Sequence, residues 1–144
     1  VKQLGNVLSI NISATRGIDK HSIHNVQVLE GWGLEGDAHG GDWDRQVSIF
    51  SVESLERVPA HKKEEVESGG FTENFTISGI SPGMLRVGCL VQIGNAIIEI
   101  LHIGKEEFKE HGRPYIVSRE GRFGRVIKGG EVVVGDHVLV IPEA

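Results

Sequence analysis

The chain has a single cysteine, Cys89, among its 144 residues. One thiol forms no internal disulfide and excludes a multi-cysteine zinc or iron–sulfur site. A lone cysteine is most simply a small buried hydrophobe. Long apolar runs are also missing: no stretch approaches the ~18 residues that cross a bilayer as a helix, so no membrane partner is expected. Positive charge is scarce, with 15 Lys and Arg against 20 Asp and Glu and a formal net charge of -5. That balance does not invite nucleic acid. Val1-Lys2-Gln3-Leu4-Gly5 shows no signal-peptide pattern and leads straight into a strand-like run, so a cytoplasmic protein is expected.

Glycine, by contrast, is plentiful. There are 20, about twice the usual share of roughly 7%, and most fall between short apolar runs, which predicts many tight turns. With 39% hydrophobic residues, residues 1–144 suit one domain with a single core. NVLSINI (6–12) partly alternates apolar and polar residues as a half-wet strand does, Thr15 to Asn25 is polar and turn-like, and Val26 to Leu29 can form another strand. Ser51 can cap a helix over Val52 to Val58 that Pro59 ends. HKKEEVE (61–67) reads as a solvated face. Met84 to Ile93 and Ala96 to Ile103, separated by Gly94-Asn95, predict a hairpin. Gly129-Gly130 introduces a similar apolar unit, and Val87-Gly88 and Val134-Gly135 look like one turn used twice. Together these predict a mainly β (α+β) domain, barrel-like, with one or two short helices.

Residues Gly33 to Phe50, GLEGDAHGGDWDRQVSIF, carry the densest chemistry. Gly33, Gly36, Gly40 and Gly41 permit tight turns and close approach of backbone to a ligand. Asp37 and His39 would project from that loop, and Gln46 should share a strand face with Ser48. Arg45 can hold an oxyanion in a bidentate fork, and His39 can donate a hydrogen bond or exchange a proton near neutral pH. This set suits an anionic ligand with polar edges. Two other readings stay open: Asp37 and Arg45 pair with each other around an ordinary turn, or Asp37, His39 and Asp42 hold a divalent metal.

Other candidates are weaker in isolation. His21 and His24 form an H-x-x-H pair best read as surface histidines. In FTENFTISG, Glu73 and Asn74 stand between Phe71 and Phe75 and could line a pocket. From Arg113 to Lys128, Arg113, Arg119, Arg122, Arg125 and Lys128 face only Glu120, a balance of +4 that leaves -9 for the rest of the chain. Such an island attracts acidic small molecules, although a solvated surface would read the same way.

Taken in order, GLEGDAHGGDWDRQVSIF, FTENFTISGI, VGCLVQIGNAIIEILHIGKE and SREGRFGRVIKGGEVVVGD resemble the MOSC domain, the C-terminal domain of molybdenum cofactor sulfurases, in its small stand-alone bacterial form. The resemblance runs from Val7 to Ile141 and is carried by Gly36-Asp37-Ala38-His39, Arg45-Gln46, Glu73-Asn74 and Arg119-Glu120-Gly121. It implies a barrel-like fold and a pocket for a molybdenum–pterin cofactor. On that implication Arg45, Arg119 and Arg125 hold phosphate or other oxyanions, while His39, Gln46 and Asn74 read polar edges. Asp37 and Glu73 orient their neighbours, and Glu120 belongs to the same cofactor-binding set.

One departure bears on activity. Many members place a cysteine just after Ile-Gly-Lys-Glu, where a thiolate carries sulfur or ligates molybdenum, but here Ile103-Gly104-Lys105-Glu106 is followed by Glu107. A carboxylate forms no persulfide, yet its oxygens can coordinate molybdenum, so Glu107 and His39 are the candidates for catalysis and Glu107 for a metal contact. The expected function is binding of molybdenum cofactor (molybdopterin) as a carrier, storage or delivery protein. Pyridoxal phosphate enters only through a separate desulfurase domain or partner, and the expected protein partners are a cysteine desulfurase or a molybdoenzyme. The alternatives are a sulfur-transfer or N-hydroxylated-compound reductase component that needs a partner, and a degenerate interaction module.

Overall fold

The computed structural model describes residues 4–15, 21–57, 73–104 and 120–141. Among the described residues eleven strands follow one another: β1 (Leu4–Ile12), β2 (His21–Ile23), β3 (Asn25–Leu29), β4 (Gly33–Leu34), β5 (Val47–Ser51), β6 (Phe75–Ser78), β7 (Leu90–Ile93), β8 (Ala96–Ile103), β9 (Arg122–Lys128), β10 (Gly130–Val133) and β11 (His137–Ile141). The order β1-β11-β7-β8-β9-β5-β6 returns to β1 and closes a seven-stranded barrel, with β2 added to the end of β1. Closure leaves few exposed edges. A second sheet, β10-β3-β4, stands beside it. Among the described residues no helix is long and apolar enough to cross a membrane.

Side-chain alternation decides what fills the barrel. Val7 and Ile10 of β1, Val47 and Ile49 of β5, Phe75 and Ile77 of β6, and Ile98 and Ile100 of β8 are all buried in one core. Cys89 joins them, its Sγ 3.8 Å from the Met84 carbonyl, as a small hydrophobe should.

The mainly β expectation holds, and so does the β7–β8 hairpin, which pairs Ile93 with Ala96 across Gly94-Asn95. Some local expectations differ from the structure. Val52–Arg57 is a 3-10 helix. Ser51 ends β5, and its hydroxyl lies against the Ile80 carbonyl and the Glu53 carboxylate, not against a backbone N–H of the helix. Without that cap the short segment keeps the tighter winding common in brief helical pieces. Val58, Pro59 and residues 61–67 lie outside the described residues. The apolar run from Met84 becomes a strand only at Leu90, because Pro82 opens a 3-10 turn ending at Met84 and Gly88 takes a positive φ of 96°. The segment read as turn-like contributes β2, which pairs Ile23 with Ile10 and His21 with Ile12. His21 and His24 are exposed. The C-terminal apolar unit is not a hairpin of its own: β10 pairs with β3, whereas β11 pairs with β7 and β1.

Candidate functional site

Alongside the core positions of β1, β5 and β6, several polar residues are buried too. Asn11, Ser48, Asn74 and Thr76 are all less than a tenth exposed. Polar groups kept from water need partners, and Asn74, at the entry to β6, supplies those of Ser48 and links several elements. Its Oδ1 accepts from the Ser48 N–H at 2.9 Å and lies 3.2 Å from the Ser48 hydroxyl. Its Nδ2 donates to the Asn11 carbonyl and to Asp37 Oδ2, each at 3.1 Å. Asn74 therefore ties β1, β5 and β6 to the Gly-rich loop. Glu73, beside it, is equally buried.

That loop is held from below by Gln46, which is fully buried. Its Nε2 donates to the carbonyls of Gly31 (2.9 Å) and Gly41 (2.8 Å), and its Oε1 accepts from the Val126 N–H of β9 at 3.0 Å. Gln46 thus faces backbone on every side and fixes the loop's two ends. A Cβ at Gly40 would meet the Trp32 ring, which would have to shift to admit one. The Trp43 indole donates to the His39 carbonyl at 2.8 Å, which positions the residue between these two turns.

Asp37 is buried, and its Oδ1 accepts from the Ser13 N–H at 3.0 Å. It does not pair with Arg45, so that sequence alternative falls. Its Oδ2 accepts from Asn74 and also faces His39, whose Nδ1 lies 3.7 Å away. That nitrogen is buried with no hydrogen-bond partner, while the side chain as a whole is one-third exposed.

Arg45 is half-buried and lies over Phe123, its guanidinium carbon 4.5 Å from the ring centroid, with Nη1 donating to the Gly104 carbonyl at 3.0 Å. Phe123 pairs with Ser48 across β9 and β5, so contacts run unbroken from His39 through Asp37, Asn74, Ser48 and Phe123 to Arg45.

The rest of the basic island is arranged differently from a free anion site. Arg122 is buried, donating to the carbonyls of Leu85, Pro82 and Glu120 and meeting the Glu120 carboxylate at 3.4 Å. Glu120 therefore serves a structural ion pair. Arg125 reaches Asp42 Oδ1 at 2.8 Å and Asp44 Oδ1 at 3.2 Å, and His102 meets Asp44 Oδ2 at 3.3 Å. With Asp42 drawn to Arg125, the described residues contain no group of three metal-ligating side chains.

The hydrogen bond from His102, followed by that from Arg125, holds the Asp44 carboxyl below its ordinary range. A carboxyl depressed by folding stabilises the native state above its unfolded pKa of about 3.9 and loses that contribution as pH falls through the lower folded value. Wild type and Asp44→Asn should accordingly differ in denaturation midpoint near neutrality and converge at strongly acidic pH. High salt should narrow the neutral-pH difference, since these groups are exposed.

The structure brings Asp37, His39, Arg45, Gln46, Glu73 and Asn74 to one side of the barrel, with Arg125 on the adjoining strand. Glu107, Arg113 and Arg119 lie outside the described residues. Asn11, Ser13, Ser48, His102 and Phe123 were not singled out by sequence. Only the polar alternation of β1 and β5 hinted at Asn11 and Ser48.

A search of curated protein sequences finds no match. Among solved structures, the chain superposes on the YuaD protein of Bacillus subtilis with a TM-score of 0.75 at 17% identity, covering 100% of this chain and 99% of that one. For YiiM of Escherichia coli the values are 0.65 and 18%, over 100% and 71% of the two chains. For YiiM of Geobacillus stearothermophilus they are 0.66 and 19%, over 96% and 75%. At these identities the likeness concerns the fold. Residues 35–139 match the MOSC domain, a family associated with molybdenum-cofactor-related proteins. That match spans most of the chain and the whole of the site from Asp37 to Arg125, so the chain belongs to the MOSC domain family.

Proposed function

We propose that this chain binds molybdenum cofactor, or its phosphorylated pterin part, beside the Gly-rich loop and acts in the cytoplasm as a carrier, storage or delivery protein. The observation that carries the reading is the continuous run of contacts from His39 to Arg45 along a buried polar face. A flat heterocycle with an anionic tail calls for hydrogen-bonding groups beside a guanidinium, and this face offers both. Arg45 would hold the oxyanion, backed by Phe123, and His39 would meet a polar edge. Asp37, Gln46, Glu73 and Asn74 would keep those two in place. The chemistry of the described donors suits a pterin and a phosphate, and Glu107 and Arg119 would serve the metal and a further oxyanion group. When bound, the group supplies redox and sulfur chemistry at molybdenum, and a cysteine desulfurase bearing pyridoxal phosphate or a recipient molybdoenzyme would be the partner.

The test is to express the protein in a host that makes the cofactor and measure molybdenum by mass spectrometry alongside oxidised-pterin fluorescence. Near-equimolar recovery of both supports the reading. Absence of both, after reloading with excess cofactor also fails, overturns it in favour of an interaction module. Arg45→Ala should weaken retention by about 1.5–3 kcal/mol, the range for hydrogen bonds to charged groups, or roughly tenfold to 150-fold in Kd. Unchanged affinity in a folded variant would remove Arg45 from the site.

A further inference from the structure

We propose that His39 and Asp37 form an acid–base pair in which neutral His39 carries its proton on Nδ1, toward Asp37, and presents the Nε2 lone pair to whatever occupies the site. The inference rests on reading this face as a ligand site, but its first half concerns the protein alone.

Three observations converge on it. His39 Nδ1 is buried and has no hydrogen-bond partner, although the ring is one-third exposed, so water reaches the rest of the side chain and not this nitrogen. An acceptor, Asp37 Oδ2, stands 3.7 Å from it, and a shift of under about 1 Å closes a normal N–H···O bond. Asp37 itself is not free to turn away: Ser13 N–H and Asn74 Nδ2 both donate to it, which is how a carboxylate is held, and Asn74 is pinned in turn by Ser48. The partner made by one imidazole nitrogen decides which nitrogen bears the proton. A lone pair on Nδ1 would face the carboxylate with no proton between them, whereas an N–H there is attracted to it.

The consequence is a base with a fixed direction. A ligand N–H or O–H against Nε2 can give up its proton, the bond's electron pair staying on the ligand atom. The resulting imidazolium then rests beside Asp37 until the proton returns. Trp43, bonded to the His39 carbonyl, keeps the backbone still during that exchange. His39 is the group that touches the ligand, and Asp37 is a positioning residue.

The experiment is long-range proton–nitrogen correlation on uniformly nitrogen-15-labelled protein at pH ~8.5, where ordinary imidazoles are neutral. His39 is assigned by the signal lost in His39→Gln. The expected result is the Nδ1–H tautomer in excess by roughly tenfold or more, as one hydrogen bond to a charged group would impose, with Asp37→Asn reversing or mixing the pattern. A wild-type His39 in the Nε2–H form overturns the proposal, including when Asp37→Asn fails to fold. A wild type with the Nδ1–H form that retains no cofactor in the loading test upholds the pair and overturns the ligand assignment instead.

Discussion

Arg122→Ala is expected to lower the free energy of unfolding by about 3–5 kcal/mol, the cost of removing one partner from a buried ion pair. Arg122 is 3% exposed, and its guanidinium donates to three backbone carbonyls, those of Leu85, Pro82 and Glu120. Truncation deprives those carbonyls of a donor and leaves the Glu120 carboxylate without the arginine 3.4 Å away. Each buried group stripped of its partner costs roughly 1–3 kcal/mol, so the pair term alone understates the local damage. Lysine would not rescue it, because a single ammonium cannot reproduce donors directed to Leu85, Pro82 and Glu120 at once. For a chain of this size the melting midpoint should fall by about 10 °C. Denaturant unfolding of Arg122→Ala and Arg122→Lys measures both effects, and a loss under about 1 kcal/mol would contradict the buried-pair account.

Gln46→Ala should cost about 3 kcal/mol and, more tellingly, loosen the Gly-rich loop before the barrel melts. The substitution removes the donor from the Gly31 and Gly41 carbonyls and the acceptor from the Val126 N–H in one step. The Val126 N–H is buried and the Gly31 and Gly41 carbonyls are partly so, and water entering the vacated space offsets only part of their loss. Both tryptophans of the chain, Trp32 and Trp43, lie in the segment that Gln46 secures. Their emission should therefore shift at a lower denaturant concentration than the far-ultraviolet signal of the strands, whereas the two transitions coincide in wild type. Gln46→Glu sharpens the test. An ionised carboxylate would face two carbonyls with no proton to give, so folding favours its protonated form and the variant should gain stability as pH falls. If Gln46 instead met only a ligand, both variants would melt as wild type does and differ from it only in cofactor retention.

The two predictions mark where local reading stops. Gln46 stood out as a strand-borne polar residue expected to read a ligand, and Arg122 as one charge of an exposed island. Sequence spacing predicts a strand face shared by Gln46 and Ser48, although β5 itself begins only at Val47. It does not indicate that the Gly31 and Gly41 carbonyls lie beneath that face, because the loop folds back over its own strand. Arg122 and Arg125 are three residues apart, yet one is buried against the 3-10 turn at Pro82–Met84 and the other meets Asp42 and Asp44 at the surface. Nothing in the run SREGRFGRV distinguishes them. The charge balance counted both as available to an anion, whereas pairing with Glu120, Asp42 and Asp44 answers each within the protein.

By itself the sequence determined the β character, the Gly94-Asn95 hairpin, the burial of Cys89 and the family motifs, since alternation, turn residues and short motifs are written in neighbouring positions. Closure of β1 onto β11 and β6, the meeting of Asp37 with Asn74 across 37 positions of chain, and the division of the arginines between interior and surface were decided by the tertiary structure alone. A buried polar group takes whichever partner the folded barrel brings within hydrogen-bond reach, and that distance is set by strand order and register rather than by spacing along the chain.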